Sequence, residues 1–259
     1  LVTNTLIGPG VNVSNITFTG QTTQKGRFTA GTSNIGLTGG IMFSFGDVND
    51  CVPPNNPSTG FGGAGDADVL ATAQSVTTNP ESNNISTSAD AAILEFDFVP
   101  DGSIVSFSFV FASAEYTTWV NSVYNDAFGF YISGPNPSGG SYNMDNLAVV
   151  PGTNEPITIS TIYPFIDATN PGLNEQYYIG TPMGHSFPGF TIPIEISFPV
   201  VCGQVYHFKF AVADCGEFDD DILDTGVFLE EGSFQSNPIA LSTESQTADN
   251  SIIEGCADL

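Results

Sequence analysis

Val205-Tyr-His-Phe-Lys-Phe-Ala-Val-Ala-Asp214-Cys-Gly-Glu217-Phe-Asp219-Asp-Asp221-Ile-Leu-Asp224-Thr-Gly-Val227-Phe-Leu-Glu-Glu-Gly-Ser-Phe234 is the stretch whose reading decides the fold. Its first part alternates Tyr206, Phe208, Phe210 and Val212 with His207, Lys209, Ala211 and Ala213. That period of two predicts a strand. Val227 to Leu229 predicts a second strand. Between the two, Asp214, Glu217, Asp219, Asp220, Asp221 and Asp224 crowd one short loop. Carboxylates so close repel one another unless a positive charge sits among them. Calcium, which takes about 6–8 oxygen ligands in flexible loops, is the expected cation. The plain alternative is an acidic, solvated hairpin turn.

Working outward, the chain has 259 residues, with 21 Phe, 8 Tyr, 28 Gly and 17 Pro. Aromatics and turn formers without a helical period point to strands. Lys25, Arg27 and Lys209 are the only basic side chains against 28 Asp plus Glu, for a net charge of −25. Nucleic-acid binding needs Lys and Arg to neutralise phosphates, so this composition argues against it. Binding to an anionic membrane surface is disfavoured for the same reason. The 41% hydrophobic content opposes disorder, yet no stretch approaches a membrane span, so no membrane insertion is expected. A processed, secreted chain fits this surface.

Further along, Gly39 to Phe45 predicts a strand ending in a turn that carries Asp47 and Asp50. Residues 51–90 are a long Pro, Gly, Asn and Ser segment holding Asp66 and Asp68. Such a stretch is expected to be functional or tied down. Ala91–Val99 alternates clearly, and Ile104–Ala112 is read as its hairpin partner across Pro100-Asp-Gly. Strands are also expected at 125–134, 147–150, 157–162, 177–179 and 191–201. Ten to twelve short strands with turns between them predict an all-β fold, an antiparallel β-sandwich, jelly-roll-like with long loops.

Several pieces together resemble the choice-of-anchor L domain of secreted bacterial surface proteins. They are Leu6-Ile-Gly-Pro-Gly-Val, Asn34-Ile-Gly-Leu, Gly40-Ile-Met and Ala92-Ile-Leu-Glu-Phe-Asp-Phe. Phe111-Ala-Ser-Ala-Glu-Tyr, Asn125-Asp-Ala-Phe-Gly-Phe-Tyr-Ile-Ser-Gly and Leu147-Ala-Val-Val-Pro-Gly-Thr follow in order. Ala213-Asp and Leu223-Asp-Thr-Gly-Val-Phe-Leu-Glu-Glu-Gly-Ser-Phe complete the set. The resemblance covers about residues 1–236 and implies an extracellular module of a larger bacterial cell-surface protein, not a known enzyme. Ala114 departs from the family, which often has a second Glu there. Residues 237–259 are expected to be a linker and a strand segment, the start of a further unit or a docking tail.

Glu115, Asn125, Asp126, Asp214, Asp219, Asp221 and Asp224 are therefore the candidate calcium ligands, hard oxygen donors without His or Cys. Asp47, Asp50, Asp66 and Asp68 are a second acidic group, for which Asx turns are the preferred reading. Lys209 is expected to act as counter-ion to the acidic loop, and His207 as a satisfied strand residue. A glycosidase would need two separated carboxylates, with Glu115 and Asp126 or Asp224 as candidates. His185 and His207 lie far apart and no Ser elbow is present, which argues against a triad. Trp119, in a polar loop, is the candidate glycan contact if the chain is a carbohydrate-binding module. Cys202 and Cys215 flank a strand and are expected to pair; Cys51 and Cys256 would then pair within one chain or between chains. The alternative leaves all four as buried thiols. Partners are expected to be neighbouring copies, joined by strand docking into a filament, or adjacent domains of the same surface protein.

Overall fold

The computed structural model describes residues 1–217 and 223–236. It is all-β, with 42% strand and 11% helix, in two antiparallel sheets. The elements run in order: α1 (Val2–Thr5), β1 (Val11–Thr19), β2 (Lys25–Thr29), β3 (Gly39–Ser44), α2 (Ala67–Gln74), β4 (Thr87–Pro100), β5 (Ile104–Ser113), β6 (Ala127–Pro135), β7 (Ser141–Asn146), β8 (Tyr178–Ile179), β9 (Gly189–Thr191), β10 (Ile194–Pro199), β11 (Tyr206–Gly216), β12 (Thr225–Glu230) and β13 (Gln235–Ser236). One sheet has the order β1-β4-β11-β6-β7. The other runs β2-β3-β12-β5-β9-β8, with β10 and β13 also paired to β5.

Alternation in the sequence becomes a two-sided strand in the fold. In β10, Ile194, Ile196 and Phe198 are buried while Glu195, Ser197 and Pro199 face out. In β11 the set Phe208, Phe210 and Val212 points between the sheets, where Phe96, Phe107, Phe130 and Phe234 meet it. Aromatic faces and edges at such spacing fill a sandwich core efficiently. The opposite face of β11 carries Lys209, Ala211, Ala213 and Cys215. It is buried as well, because α2 lays Val69 and Ala73 over it.

The hairpin expected across Pro100-Asp-Gly proves to be a crossover. β4 lies in the first sheet and β5 in the second, so the turn at 101–103 passes from one layer to the other. The same holds for β11 and β12, so the acidic loop bridges two sheets at one end of the sandwich and is no hairpin turn. Alternation sets which face of a strand is apolar but does not name its partner. Residues 147–150 and 157–162 are not strands. They make isolated bridges, Val149 with Pro156 and Thr158 with Ala127.

The segment 51–90 is tied down, as its length implied. The buried Asp90 carboxylate accepts from the backbone N–H of Phe61 (2.7 Å), Gly62 (3.2 Å) and Gly63. Helix α2, which the sequence reading missed, opens on Asp66: its Oδ1 accepts from the N–H of Asp68 (3.0 Å) and Val69 (3.1 Å). An Asp before Ala-Asp-Val-Leu-Ala-Thr-Ala-Gln is a recognisable helix start.

Candidate functional site

The ends of β5, β6, β11 and β12 come together at one end of the sandwich and carry most of the predicted ligands. Asn125 and Asp126 immediately precede β6. The Asn125 N–H donates to the Cys215 carbonyl at 2.9 Å, which fixes this turn to the end of β11. Asp126 then closes the corner. Its Oδ1 accepts from the Cys215 N–H at 3.2 Å and its Oδ2 from the Thr225 hydroxyl at 2.9 Å, while its own N–H donates to Glu115 Oε2 at 3.2 Å. Ala114 N–H reaches the Asp224 carbonyl at 3.0 Å. Glu115, Asn125, Asp126 and Asp224 are fully buried, and Asp214 nearly so.

The Asp224 carboxylate turns away from this corner. It accepts the Thr59 N–H at 3.0 and 3.1 Å and lies against Gly46, where a Cβ would come within 2.1 Å of it. Only glycine permits that approach. Asp50 joins this second pocket of charge through the Thr59 hydroxyl. Asp47 is an Asx cap, its Oδ1 accepting the Asn49 N–H at 2.8 Å. Burial, then the charges of Asp224, Asp50 and Asp47, push the Cys51 thiol well above its ordinary pKa.

Among the described residues no three His, Cys, Asp or Glu side chains gather as a metal-holding group. Asp219 and Asp221 lie outside the described residues. One feature of the corner stands out. Neither the Oδ1 nor the Nδ2 of Asn125 has a hydrogen-bond partner among the described residues, although the side chain is fully buried. Buried amides are normally bonded, and an unbonded one signals something that completes it.

All three basic side chains are engaged elsewhere. The Lys209 ammonium binds Asp66 Oδ2 at 2.6 Å and Asp68 Oδ2 at 2.7 Å, on the outer face of β11. This corrects the expectation that it would neutralise the 214–224 loop: residue parity points it to α2 instead. Burial opposes its charge, but the hydrogen bonds and charges of the two aspartates outweigh it and raise its pKa. Arg27 meets Glu231 at 3.3 Å near the surface, and Lys25 lies 3.3 Å above the centre of the Phe18 ring. His207 is the satisfied strand residue expected, its Nδ1 2.9 Å from Asp97 Oδ1. The Asn15 amide, then His207, hold the Asp97 carboxyl below the usual range.

The cysteine pairing is corrected. Cys51 and Cys215 are free, buried thiols, so neither the Cys202–Cys215 nor the Cys51–Cys256 bridge forms. The first fails on length: β11 rises about 3.3 Å per residue, which holds its two ends roughly 30 Å apart, far beyond disulfide reach. Cys256 lies outside the described residues. Trp119 is half-buried, packed on the core and edge-on to Tyr124 at 5.0 Å.

A two-layer antiparallel sandwich with buried acids at one end and long tethered loops defines a β-sandwich module. The chain belongs to the choice-of-anchor L domain family, whose model matches residues 1–235. The family places it among bacterial cell-surface modules. No curated protein and no solved structure is matched. Among the described residues no helix is long and apolar enough to cross a membrane.

Proposed function

We propose that the chain is an extracellular structural or adhesive module whose acid-rich end is held by a calcium ion, and that it works through its surfaces and not as a catalyst. The observation that carries this reading is the corner of Glu115, Asn125, Asp126 and Asp214, buried where no lysine or arginine is committed, with the Asn125 amide unbonded among the described residues. Oxygen donors of this kind suit calcium. Filament assembly through the segment after Ser236, by strand addition to a neighbouring copy, belongs to the same reading. The glycosidase alternative has less support, because Glu115, Asp126 and Asp224 are wholly buried. The glycan reading has less as well, since Trp119 packs edge-on against Tyr124.

The test is a melting curve of the whole chain in EDTA and in millimolar calcium. A ligand that binds only the folded state raises stability by mass action, about 4 kcal/mol at a thousandfold excess over Kd. The expected result is a clearly higher midpoint in calcium. Identical midpoints would overturn the proposal.

A further inference from the structure

β2 is the outermost strand of the second sheet, paired with β3 alone among the described residues. Beside it runs a cavity of about 530 Å³, and every residue from Lys25 to Ala30 lines it. Successive residues of a strand point to opposite faces, so a hollow that touches all of them follows the strand's open edge. It also extends over the outer face, where Gly26, Phe28, Met42 and Phe228 form an apolar floor and His185 a wall. Gly26 keeps that floor low, since a Cβ there would sit 3.1 Å from Val48 Cγ2.

An open edge offers N–H and C=O groups that an added strand completes. Among the described residues the backbone of Lys25–Thr29 makes no hydrogen bond outside its pairing with β3. The strand has no bulge, no Pro and no left-handed residue. Other edges are blunted. β1 is irregular between Ser14 and Thr17, with Asn15 left-handed, and β7 slips between Ile132 and Ser133, with Met144 left-handed. β10 carries Glu195 and ends on Pro199. None of these three holds a Lys or Arg, whereas β2 holds two of the chain's three basic side chains, Lys25 and Arg27. Spaced two apart, they share the face opposite to Gly26 and Phe28. Arg27 is 58% exposed and its partner Glu231 50%. Such a surface pair is worth little, so an incoming carboxylate can compete for the guanidinium.

The matching strand is apolar on one side and acidic on the other. Residues 237–259 hold Glu244, Asp249, Glu254 and Asp258 and no Lys or Arg. In Ile239-Ala-Leu-Ser-Thr-Glu244, alternation sets Ile239 and Leu241 on one side and Glu244 on the other. The chain's own β2 is out of reach for this segment. Ser236 pairs with β5 on the side of β12, because β10 holds the other side. From there the free edge lies beyond β3 and β2, three strand spacings or about 14 Å away. Three residues span at most about 11 Å, so Ile239 reaches a neighbouring copy's edge and not its own.

We propose that the β2 edge of one copy receives residues 239–244 of the next as an added strand, Ile239 and Leu241 over the apolar floor and Glu244 beside Lys25 and Arg27. This rests on the reading that the segment after Ser236 adds to a neighbouring copy, and it names the acceptor. Sedimentation velocity of the whole chain over a range of concentrations tests it. The expected result is assemblies that grow with concentration and that an excess of the peptide of residues 237–259 returns to single copies. Lys25→Glu with Arg27→Glu should raise the dissociation constant at least about tenfold, since like charges would then face each other. Ile239→Asp with Leu241→Asp should do the same from the other side. With both double variants melting as the wild type does, their equal mixture should stop at dimers, because one supplies a sound tail and the other a sound edge. Assemblies lost with the tail change but kept with the edge change, or a mixture without dimers, would overturn the β2 acceptor and leave strand addition by the tail standing. A chain that stays single at every concentration, or assemblies that the peptide leaves intact, would overturn both.

Discussion

Two acidic regions of this molecule face the same electrostatic problem and solve it differently. On the outer face of β11, Asp66 and Asp68 close on the Lys209 ammonium, so one of their two charges is offset within the chain. At the sandwich end, Glu115, Asp126 and Asp214 are buried more deeply, while the three basic side chains of the whole chain are engaged at other places. With so few cations, the placement of each one decides which acids the protein neutralises itself. Asp126 is met instead by hydrogen-bond donors of the chain, the Cys215 N–H and the Thr225 hydroxyl.

This contrast breaks if the two regions respond alike. The largest effect is expected for Lys209→Met, which leaves the Asp66 carboxylate, 9% exposed, without its partner. Loss of one member of a buried pair costs about 3 kcal/mol, or about 6–12 °C in midpoint for a chain of this size. The loss should be the same in EDTA and in calcium. Raising pH sharpens the point. The Lys209 pKa is raised in the folded chain, so its contribution is full below its unfolded value of about 10.4 and fades as pH rises through the folded value. The gap between wild type and Lys209→Met, measured by melting at pH 9 and at pH 11.5, should therefore narrow at the higher pH. A gap that widens would contradict the pairing.

At the other region, Asp126→Asn keeps the shape but removes the charge that accepts from Cys215 and Thr225. About 2 kcal/mol is expected in EDTA, and most of the calcium gain should vanish. A variant with an undiminished calcium response would move the ion elsewhere. The smallest effect in the absence of metal is expected for Asn125→Leu. Replacing a buried amide that is unbonded among the described residues by an apolar group of similar shape should alter stability in EDTA by less than about 1 kcal/mol. In calcium the same variant should melt well below wild type. Equal behaviour of the two in calcium would show that the amide has no part in holding the ion.

Much of the architecture was readable before any coordinates. β10 and β11 follow the alternation of Ile194, Ile196 and Phe198 and of Phe208, Phe210 and Val212. The clustering of Glu115, Asn125, Asp126 and Asp214 at one edge was also readable, because strand ends at known positions have few places to meet. Helix α2 was missed although Asp66 is a plain N-cap, since the Gly- and Asn-rich surroundings outweighed eight helical residues. The Cys202–Cys215 pairing failed because flanking a strand in sequence means standing at its opposite ends in space.

What the amino-acid order determined by itself was local: which segments are strands, which face of each is apolar, where acids crowd, and that only three cations exist to meet them. These follow from backbone geometry and side-chain chemistry within a few residues. Only the tertiary structure decided that β4 and β5 part into different sheets, that Lys209 meets Asp66 across 143 positions of sequence, and that His185 closes a cavity floored by Gly26 and Met42. Those contacts depend on how two sheets and three loops pack at once. A strand's alternation is satisfied by any partner of matching face, and the partner is chosen by the volume of the whole core.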